Sequence, residues 1–174
     1  SATTIQLGGT LDLADTWTST NTNLSLTDNT ELSSTAAVEL ATLVTNGFNF
    51  KLASETTDLT LANAFTLAAG TLSTQGADLI FAGTANISSG ATLDASVITG
   101  TGGTLEFKQG GTSAGTINAA NATFKLGADY AVTGTLKTNS DTNWDLGNSN
   151  LDLSGELDGA TLELGGNVTL DQIL

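Results

Sequence analysis

An internal repeat of about 20 residues restricts the fold of this chain more than any other feature of its sequence. Each unit opens on a short segment in which polar and apolar residues alternate, passes a corner that contains Gly or Asn, and ends on a Gly-Thr-Leu-like segment. A fixed period of this length is typical of solenoid proteins, in which each unit packs only on its neighbours. The units that follow this plan are residues 58–77, 104–122, 123–142 and 143–160, with a further one beginning at 161.

The alternation within each unit indicates strands rather than helices. Leu105 and Phe107 fall on one side of a strand and Glu106 on the other, which is the two-residue period of β structure. β-Branched residues and Gly recur throughout, and no 3.6-residue apolar stripe persists. The sequence therefore predicts an all-β fold, a single-stranded parallel β-helix (β-solenoid) of about eight or nine rungs.

The repeat also bounds the organisation of the chain. It predicts one β-solenoid domain over residues 1–174, without an internal linker. The last rung, 161–174, stops before its third strand and is expected to be incomplete. In 20–57 and 78–103 the strand phase stays ambiguous, because extra residues there indicate looser corners or insertions.

Stacking of the units about 4.8 Å apart would bring equivalent residues into columns along the molecule. Outward columns test this register, because like charges directly opposite one another destabilise a pair of strands. Lys125 falls between Glu106 and Asp145, and Lys137 falls beside Asp158. The predicted inward columns are Leu105–Phe124–Trp144–Leu162, Phe107–Leu126–Leu146–Leu164 and Ile117–Leu136–Leu157, and the outward column of Lys125 continues to Glu163.

Composition excludes several kinds of chemistry. The chain has no His, Cys, Met or Pro, and its 18 acidic residues outnumber its 4 cationic ones, all Lys, for a net charge of −14. Disulfides, Cys/His zinc sites and Cys- or His-based nucleophiles are therefore ruled out. Nucleic acid is not expected as a partner, because phosphate binding needs clustered cations. No apolar run reaches the roughly 18 residues that span a bilayer, so membrane insertion is not expected.

Paired carboxylates raise the question of enzymatic activity, because some carbohydrate-active enzymes are built on β-helices and use such pairs. Glu156 and Asp158 reach a suitable separation simply because they lie two residues apart on a strand. The chain has neither Arg nor His and too few Lys to bind acidic sugars. We therefore expect no catalytic residues, no enzymatic activity and no cofactor.

The Gly-Thr-Leu repeats, the Leu-x-Leu strands and the Asn/Gly corners resemble those of a known class, as in Gly134-Thr135-Leu136 and Leu162-Glu163-Leu164. They are similar to bacterial secreted β-helical adhesins, such as autotransporter passenger domains and filamentous-haemagglutinin-type proteins. The resemblance extends over nearly the whole chain. It implies a right-handed parallel β-helix that is exported to a bacterial surface, with a stalk, adhesive or matrix role and no shared catalytic residues.

A candidate calcium site lies at Asp141, Asn143 and Asp145, which place oxygen ligands on alternate residues. A calcium loop also needs Gly at its sixth position and Glu at its twelfth, where this chain has Leu146 and Asp152. The predicted register turns Leu146 into the core. The alternative interpretation is therefore that these polar residues are ordinary solvated strand and corner positions.

Two further surface features could bind a ligand. Trp17 is the candidate for contact with a glycan if its ring is exposed, whereas Trp144 is expected in the core beside Leu146. Outward Thr residues form partial ladders like those of ice-binding solenoids, although Thr is also simply favoured in strands. The Thr residues are at positions 10, 104, 123 and 161 and at 71, 92, 116 and 135, and the interruptions are Asp58, Asp78, Asn143 and Glu156.

Neither end of the repeat carries a recognisable capping element, although terminal rungs of a solenoid expose backbone and core. The chain is then either a piece of a longer rod or a subunit whose ends pair with the next copy. The likeness of Thr4–Gly9 to Thr161–Gly166 favours pairing between copies.

These features lead us to expect a secreted or cell-surface bacterial protein with a non-catalytic structural or adhesive role. It would act as a stalk or as a self-associating filament or matrix unit, with host or matrix glycans as candidate partners. The alternative is a surface-binding module for glycan, calcium or ice.

Overall fold

The structure is a computed structural model that describes residues 3–15, 17–53, 57–96, 102–158 and 167–170. Its strands pair in parallel and stack as a β-solenoid of about seven turns, and none of the described residues is helical. The predicted fold class is therefore confirmed. The eight or nine predicted rungs came from dividing the whole chain by a fixed period. The turns differ in length, from 17 residues between Leu151 and Val168 to 26 between Leu79 and Leu105. The right hand of the coil stays a prediction.

Most of the described strands are only three or four residues long, because the chain turns a corner after each of them. Three strands near the N-terminus are longer, with 11, 18 and 7 residues, since they run round corners and resume their pairing beyond them. The strands are β1 (Thr3–Leu13), β2 (Trp17–Ser34), β3 (Val38–Val44), β4 (Phe50–Leu52), β5 (Leu59–Leu61), β6 (Phe65–Leu67), β7 (Thr71–Ser73), β8 (Leu79–Phe81), β9 (Ala85–Ile87), β10 (Thr92–Asp94), β11 (Thr104–Phe107), β12 (Gly111–Ser113), β13 (Thr116–Asn118), β14 (Thr123–Leu126), β15 (Tyr130–Val132), β16 (Thr135–Lys137), β17 (Asn143–Asp145), β18 (Asn150–Leu153), β19 (Glu156–Asp158) and β20 (Asn167–Leu170).

The strands form three faces that run along the molecule. Face 1 consists of the start of β2 followed by β3, β5, β8, β11, β14 and β17. Face 2 consists of β6, β9, β12, β15, β18 and β20, and face 3 of the end of β2 followed by β4, β7, β10, β13, β16 and β19. Because β2 belongs to both face 1 and face 3, those two faces form one continuous sheet.

The N-terminal strand β1 lies over the middle and the end of β2. Thr3–Leu7 pairs with Thr22–Leu26, and Gly9–Leu13 pairs with Thr30–Ser34. Asn23–Ser25 in turn pairs with the second half of β3, which contacts β6 at the start of face 2. The first half of β1 therefore extends face 2 and its second half extends face 3.

Apolar side chains fill the interior in the columns that the alternation predicts. Leu105 pairs with Phe124 and Phe124 with Trp144, and Ile117, Leu136 and Leu157 are likewise aligned. Phe107 pairs with Leu126, and Leu146 is buried just after β17. The predicted continuations Leu162, Glu163 and Leu164 lie outside the described residues. The first of these columns begins far upstream and runs Trp17–Val38–Leu59–Leu79–Leu105–Phe124–Trp144.

Aromatic rings stack within this interior from turn to turn. Adjacent ring centroids lie 5.1–5.6 Å apart, a spacing at which aromatic pairs attract beyond their burial. Tyr130 packs from the side against Phe107, with centroids 4.3 Å apart. Phe65, Phe81 and Phe107 are stacked, and Phe124 and Trp144 continue the series as tilted pairs.

The structure settles the strand phase where the sequence left it ambiguous. Near 20–57 the register of β2 shifts twice, between Ser19 and Asn23 against β3 and between Leu26 and Thr30 against β1. Such irregularities insert residues into one strand and break the period. In 78–103 the longer spacing arises between β10, which ends at Asp94, and β11, which begins at Thr104. The ambiguous phase of 20–57 is thus explained by residues inserted within a strand, one of the two alternatives that the sequence leaves open.

Corners of successive turns are tied together by side chains and by close backbone contacts. Asp58 Oδ1 accepts the N–H of Asp78 at 3.0 Å, and Asp78 Oδ1 accepts the N–H of Thr104 at 2.6 Å. At the corner before face 3, Gly115, Gly134 and Gly155 lie directly over one another. A Cβ on Gly134 would overlap the carbonyl oxygen of Gly115, so this corner requires glycine.

Candidate functional site

The charged column on face 1 is arranged as the sequence predicts. Lys125 Nζ lies 3.4 Å from Glu106 Oε1 and 3.9 Å from Asp145 Oδ2, between carboxylates of the turns below and above. Lys137 Nζ lies 3.8 Å from Asp158 Oδ2 on face 3. These lysines are about half exposed, so each pair stabilises the fold by at most about 1 kcal/mol.

The two remaining lysines are paired as well. Lys51 Nζ lies 3.2 Å from Glu31 Oε2 on neighbouring turns of face 3, and Lys108 Nζ lies 3.9 Å from Glu106 Oε2. The chain therefore uses its 4 cations to neutralise its own carboxylates. The other carboxylates leave the surface strongly acidic.

The calcium candidates are divided between a corner and a strand. Asn143 and Asp145 lie exposed on β17, and Asp141 lies in the turn before it, where its N–H donates to Asn139 Oδ1 at 3.1 Å. Asp152, at the twelfth position, lies on β18 and hence on face 2 rather than face 1. Among the described residues, no three of Asp, Glu, His and Cys lie together as metal ligands would. Calcium binding stays a prediction, to be tested by titration.

Trp17 belongs to the inward column of face 1 and is only partly exposed. It packs against the core and forms one wall of a hollow of about 410 Å³ at the N-terminal end of the solenoid. Asp12 and Asp15 lie at the same hollow, so a sugar held there would meet an aromatic ring beside carboxylate acceptors. The other apolar walls are Ile5, Leu7, Leu11, Leu13 and Ala14.

Threonine columns form in part. Thr71, Thr92, Thr116 and Thr135 are aligned on face 3, as the sequence predicts, and the column then meets Glu156. On face 1, Thr104 and Thr123 are aligned and meet Asn143, while Thr161 lies outside the described residues.

The place that the sequence assigns to Thr10 in these columns is wrong. Thr10 pairs with Glu31 on face 3, because β1 shifts register at Gly8 as it rounds the corner. Thr10 therefore heads the column of Glu31, Lys51 and Ser73, which is charged.

Polar groups at the C-terminal part of face 2 show the clearest electrostatic effects. The backbone N–H of Asn150 donates to Asp129 Oδ1 at 2.7 Å and its side-chain amide does so at 3.2 Å, which lowers the pKa of that exposed carboxyl. Burial raises the pKa of the Tyr130 hydroxyl, which has no hydrogen-bond partner. Asp129 and Tyr130 line a shallow hollow on this face together with Asn150 and Asp152.

The paired carboxylates Glu156 and Asp158 are both exposed on face 3. Asp158 is engaged by Lys137, and Glu156 accepts the hydroxyl of Thr135 at 3.3 Å. Both carboxylates thus contact residues of the turn below them.

Two features escape sequence reasoning. The hollow beside Trp17 depends on β1 lying at the end of the stack, which periodicity alone does not reveal. The corner bonds of Asp58 and Asp78 could have been found from the Asp that stands just before the first strand in two successive units.

Comparison with models of known protein families, with curated proteins and with solved structures finds no match for this chain. Within the described part of the chain there is also no helix long and apolar enough to cross a membrane.

Proposed function

We propose that this chain is a non-catalytic structural or adhesive element of the bacterial cell exterior, a stalk or a self-associating filament or matrix unit. The observation that carries the proposal is the parallel backbone pairing that continues from turn to turn on every face. Its charged side chains lie on the outside, and the lysines bind carboxylates of the same chain. The polar interactions of such a molecule mainly stabilise its own fold.

The mechanism is mechanical. Each turn is held by main-chain hydrogen bonds to the turns on both sides, and apolar columns fill the space inside. Seven turns at a strand spacing of about 4.8 Å give a rod roughly 35 Å long. Outside the cell, an acidic surface rich in Thr and Asn would keep this rod soluble. The resemblance to secreted β-helical adhesins supports that location.

Two observations favour a surface-binding module as the second candidate. The hollow beside Trp17 offers an aromatic wall and carboxylates to a glycan. The four aligned Thr residues of face 3 offer a short regular array to ice. The hollow is formed at one end of the described stack, and the Thr array ends at Glu156 after four turns, which is why the structural role is preferred.

Thermal melting with and without ligands tests the proposal, because a ligand that binds only the folded state raises the melting midpoint. The 174-residue chain is melted with CaCl2, with MgCl2 at the same ionic strength, and with a panel of neutral and amino sugars. We expect the midpoint to depend on ionic strength alone. A saturable rise with calcium or with one sugar, or faceted ice crystals grown in its presence, would overturn the structural assignment.

If a sugar does raise the midpoint, the tryptophans locate the site. Replacing Trp17 by Phe should then weaken binding, whereas replacing Trp144 by Phe, at the other end of the same column, should leave it unchanged.

A further inference from the structure

The described residues leave an open strand edge above an open core at the N-terminal end of the solenoid. Among the described strands, β1 pairs only with β2, so its other edge has no partner there. The inward side chains of β1, such as Ile5 and Leu7, are correspondingly only partly buried. Their partners in β2 are fully buried, since Leu24 is 0% exposed and Leu26 is 1% exposed. An edge of this kind, with no Pro and no Lys, is a template for pairing with another strand.

The opposite end presents the complementary edge. On face 2, β20 is the last described strand, and it pairs with β18 along only one of its sides. On face 3, Leu157 of the last strand is 36% exposed, whereas Leu136 in the turn below it is 0% exposed. Since each pairing in the described stack is parallel, the outer edge of β20 presents its donors and acceptors in the order that β1 requires.

The distribution of charged residues favours face 2 as the surface on which two copies can pair. A chain of net charge −14 repels its own copies, and the last complete turn carries Asp145, Asp152, Glu156 and Asp158. By contrast, Thr3–Leu7 and Asn167–Leu170 contain no charged residue. The two open edges on face 2 are therefore uncharged in an otherwise acidic molecule.

From these observations we infer that β20 of one copy pairs in parallel with Thr3–Leu7 of β1 in the next copy, on face 2. The inference rests on the proposed structural role and names its partner, a second copy of this chain. Pairing Val168 with Ile5 and Leu170 with Leu7 continues the aliphatic positions of this face and places Thr169 opposite Gln6. The partner would then cover the hollow beside Trp17.

This contact is heterologous, because one end of the molecule meets the other end of its neighbour. It leaves both outer ends free again after each addition, so it generates an open filament rather than a closed dimer. Salt should strengthen it, because screening reduces the repulsion between acidic copies while the backbone pairing is unaffected.

Sedimentation velocity of the whole chain over a range of protein and salt concentrations tests the inference. We expect a series of species at multiples of the chain mass, which grows with protein concentration and with salt. A chain that stays monomeric at every concentration and salt level overturns the inference and leaves the stalk role standing. A species that stops at two copies overturns it too, because it indicates a two-fold contact between like ends.

Charge placed at the opposed pair tests the register. Gln6 is exposed, so charging it does not disturb the core. The double variant Q6K/T169E should associate about fivefold more tightly than Q6E/T169E, the difference expected between an attractive and a repulsive cross-strand pair. Thr66→Glu is the matched control, because Thr66 is exposed on β6, which pairs with β9 on one side and contacts β3 on the other, and it should leave association near that of the parent chain.

Equal association of the two double variants would show that β20 and β1 do not meet in this register, and would overturn the inference. Failure of the proposed function has a different signature, because a ligand-dependent melting midpoint is measured on the parent chain without reference to its mass.

Discussion

At the scale of single residues, the corners carry most of the specificity of this fold. Strand residues need only alternate, but a corner residue must fit the backbone of the turn below. Asp78 accepts the N–H of Thr104 and so holds two turns together, and carboxylate–amide bonds of this kind are stronger than neutral ones. Gly134 leaves room for the carbonyl oxygen of Gly115, which no other residue type would do.

Replacing Gly134 by Ala should therefore destabilise the protein strongly. The added Cβ would overlap backbone atoms, which cannot rotate away, and overpacking of this kind costs about 1–3 kcal/mol or more. Urea unfolding followed by circular dichroism measures the loss. Gly147→Asn is the control, because Gly147 has a positive φ that Asn tolerates and no close neighbour, so it should cost well under half as much. Equal losses in the two variants would show that contact at the corner is unimportant.

Replacing Tyr130 should stabilise the protein, in contrast to replacing Gly134. Its hydroxyl is buried without a partner, so Tyr130→Phe should keep the packing on Phe107 and raise the free energy of unfolding by about 1 kcal/mol. The pKa of Tyr130 is raised in the folded state, so the hydroxyl ionises more readily in the unfolded chain. The free energy of unfolding is therefore unaffected by this group below the unfolded pKa of about 10 and falls as the pH rises above it. Melting at about pH 8 and pH 11 should thus show a smaller alkaline loss in the Phe variant. A larger loss, or destabilisation at pH 8, would contradict an unpaired hydroxyl.

At the scale of strands, the sequence predicts register well wherever the period is regular. From Leu105 to Asp158 every column that could be checked is confirmed, because alternation fixes which residues face inward and the repeat length fixes which residues are neighbours. Before Leu59 the sequence does not predict correctly which residues pair with one another. There β1 and β2 run round corners as continuous strands and shift register on the way, so Thr10 arrives on face 3.

Substitutions at Lys125 measure how much charge pairing between neighbouring turns contributes to the free energy of unfolding. Lys125→Glu would place carboxylates in three successive turns, with Glu106 below and Asp145 above. We expect a loss of roughly 0.5–1 kcal/mol in the free energy of unfolding at low salt, which shrinks when salt screens the charges. Lys125→Gln is the control and should lose less than half as much. A loss that does not respond to salt would mean that packing of the lysine stem, rather than charge, matters at this position.

At the scale of the whole molecule, the architecture follows from the sequence but the task does not. A period of about 20 residues with alternation inside it leaves little choice except a solenoid. The outward positions carry no recurring chemistry, and the hollow beside Trp17 exists only because of where the stack stops among the described residues. The function of this hollow depends on the molecule that binds there, which composition and periodicity do not specify.

The net charge of −14 gives a prediction for the whole molecule. Raising NaCl from ~20 mM to ~500 mM should increase the melting midpoint by a few degrees, because self-repulsion of the folded state is screened. Scanning calorimetry measures the change, and KCl at the same concentrations should give the same result. A midpoint that falls with both salts would mean that the ion pairs of the four lysines outweigh the repulsion among the 18 acidic residues.

The column that runs from Trp17 to Trp144 has an optical consequence. The chain has only 2 Trp, and they stand at the two ends of the described part of one column, six strand spacings or about 29 Å apart. With one indole replaced by Phe, the emission of the other reports the environment at one end of that column. Fraying can thus be followed separately from either direction, without any attached dye.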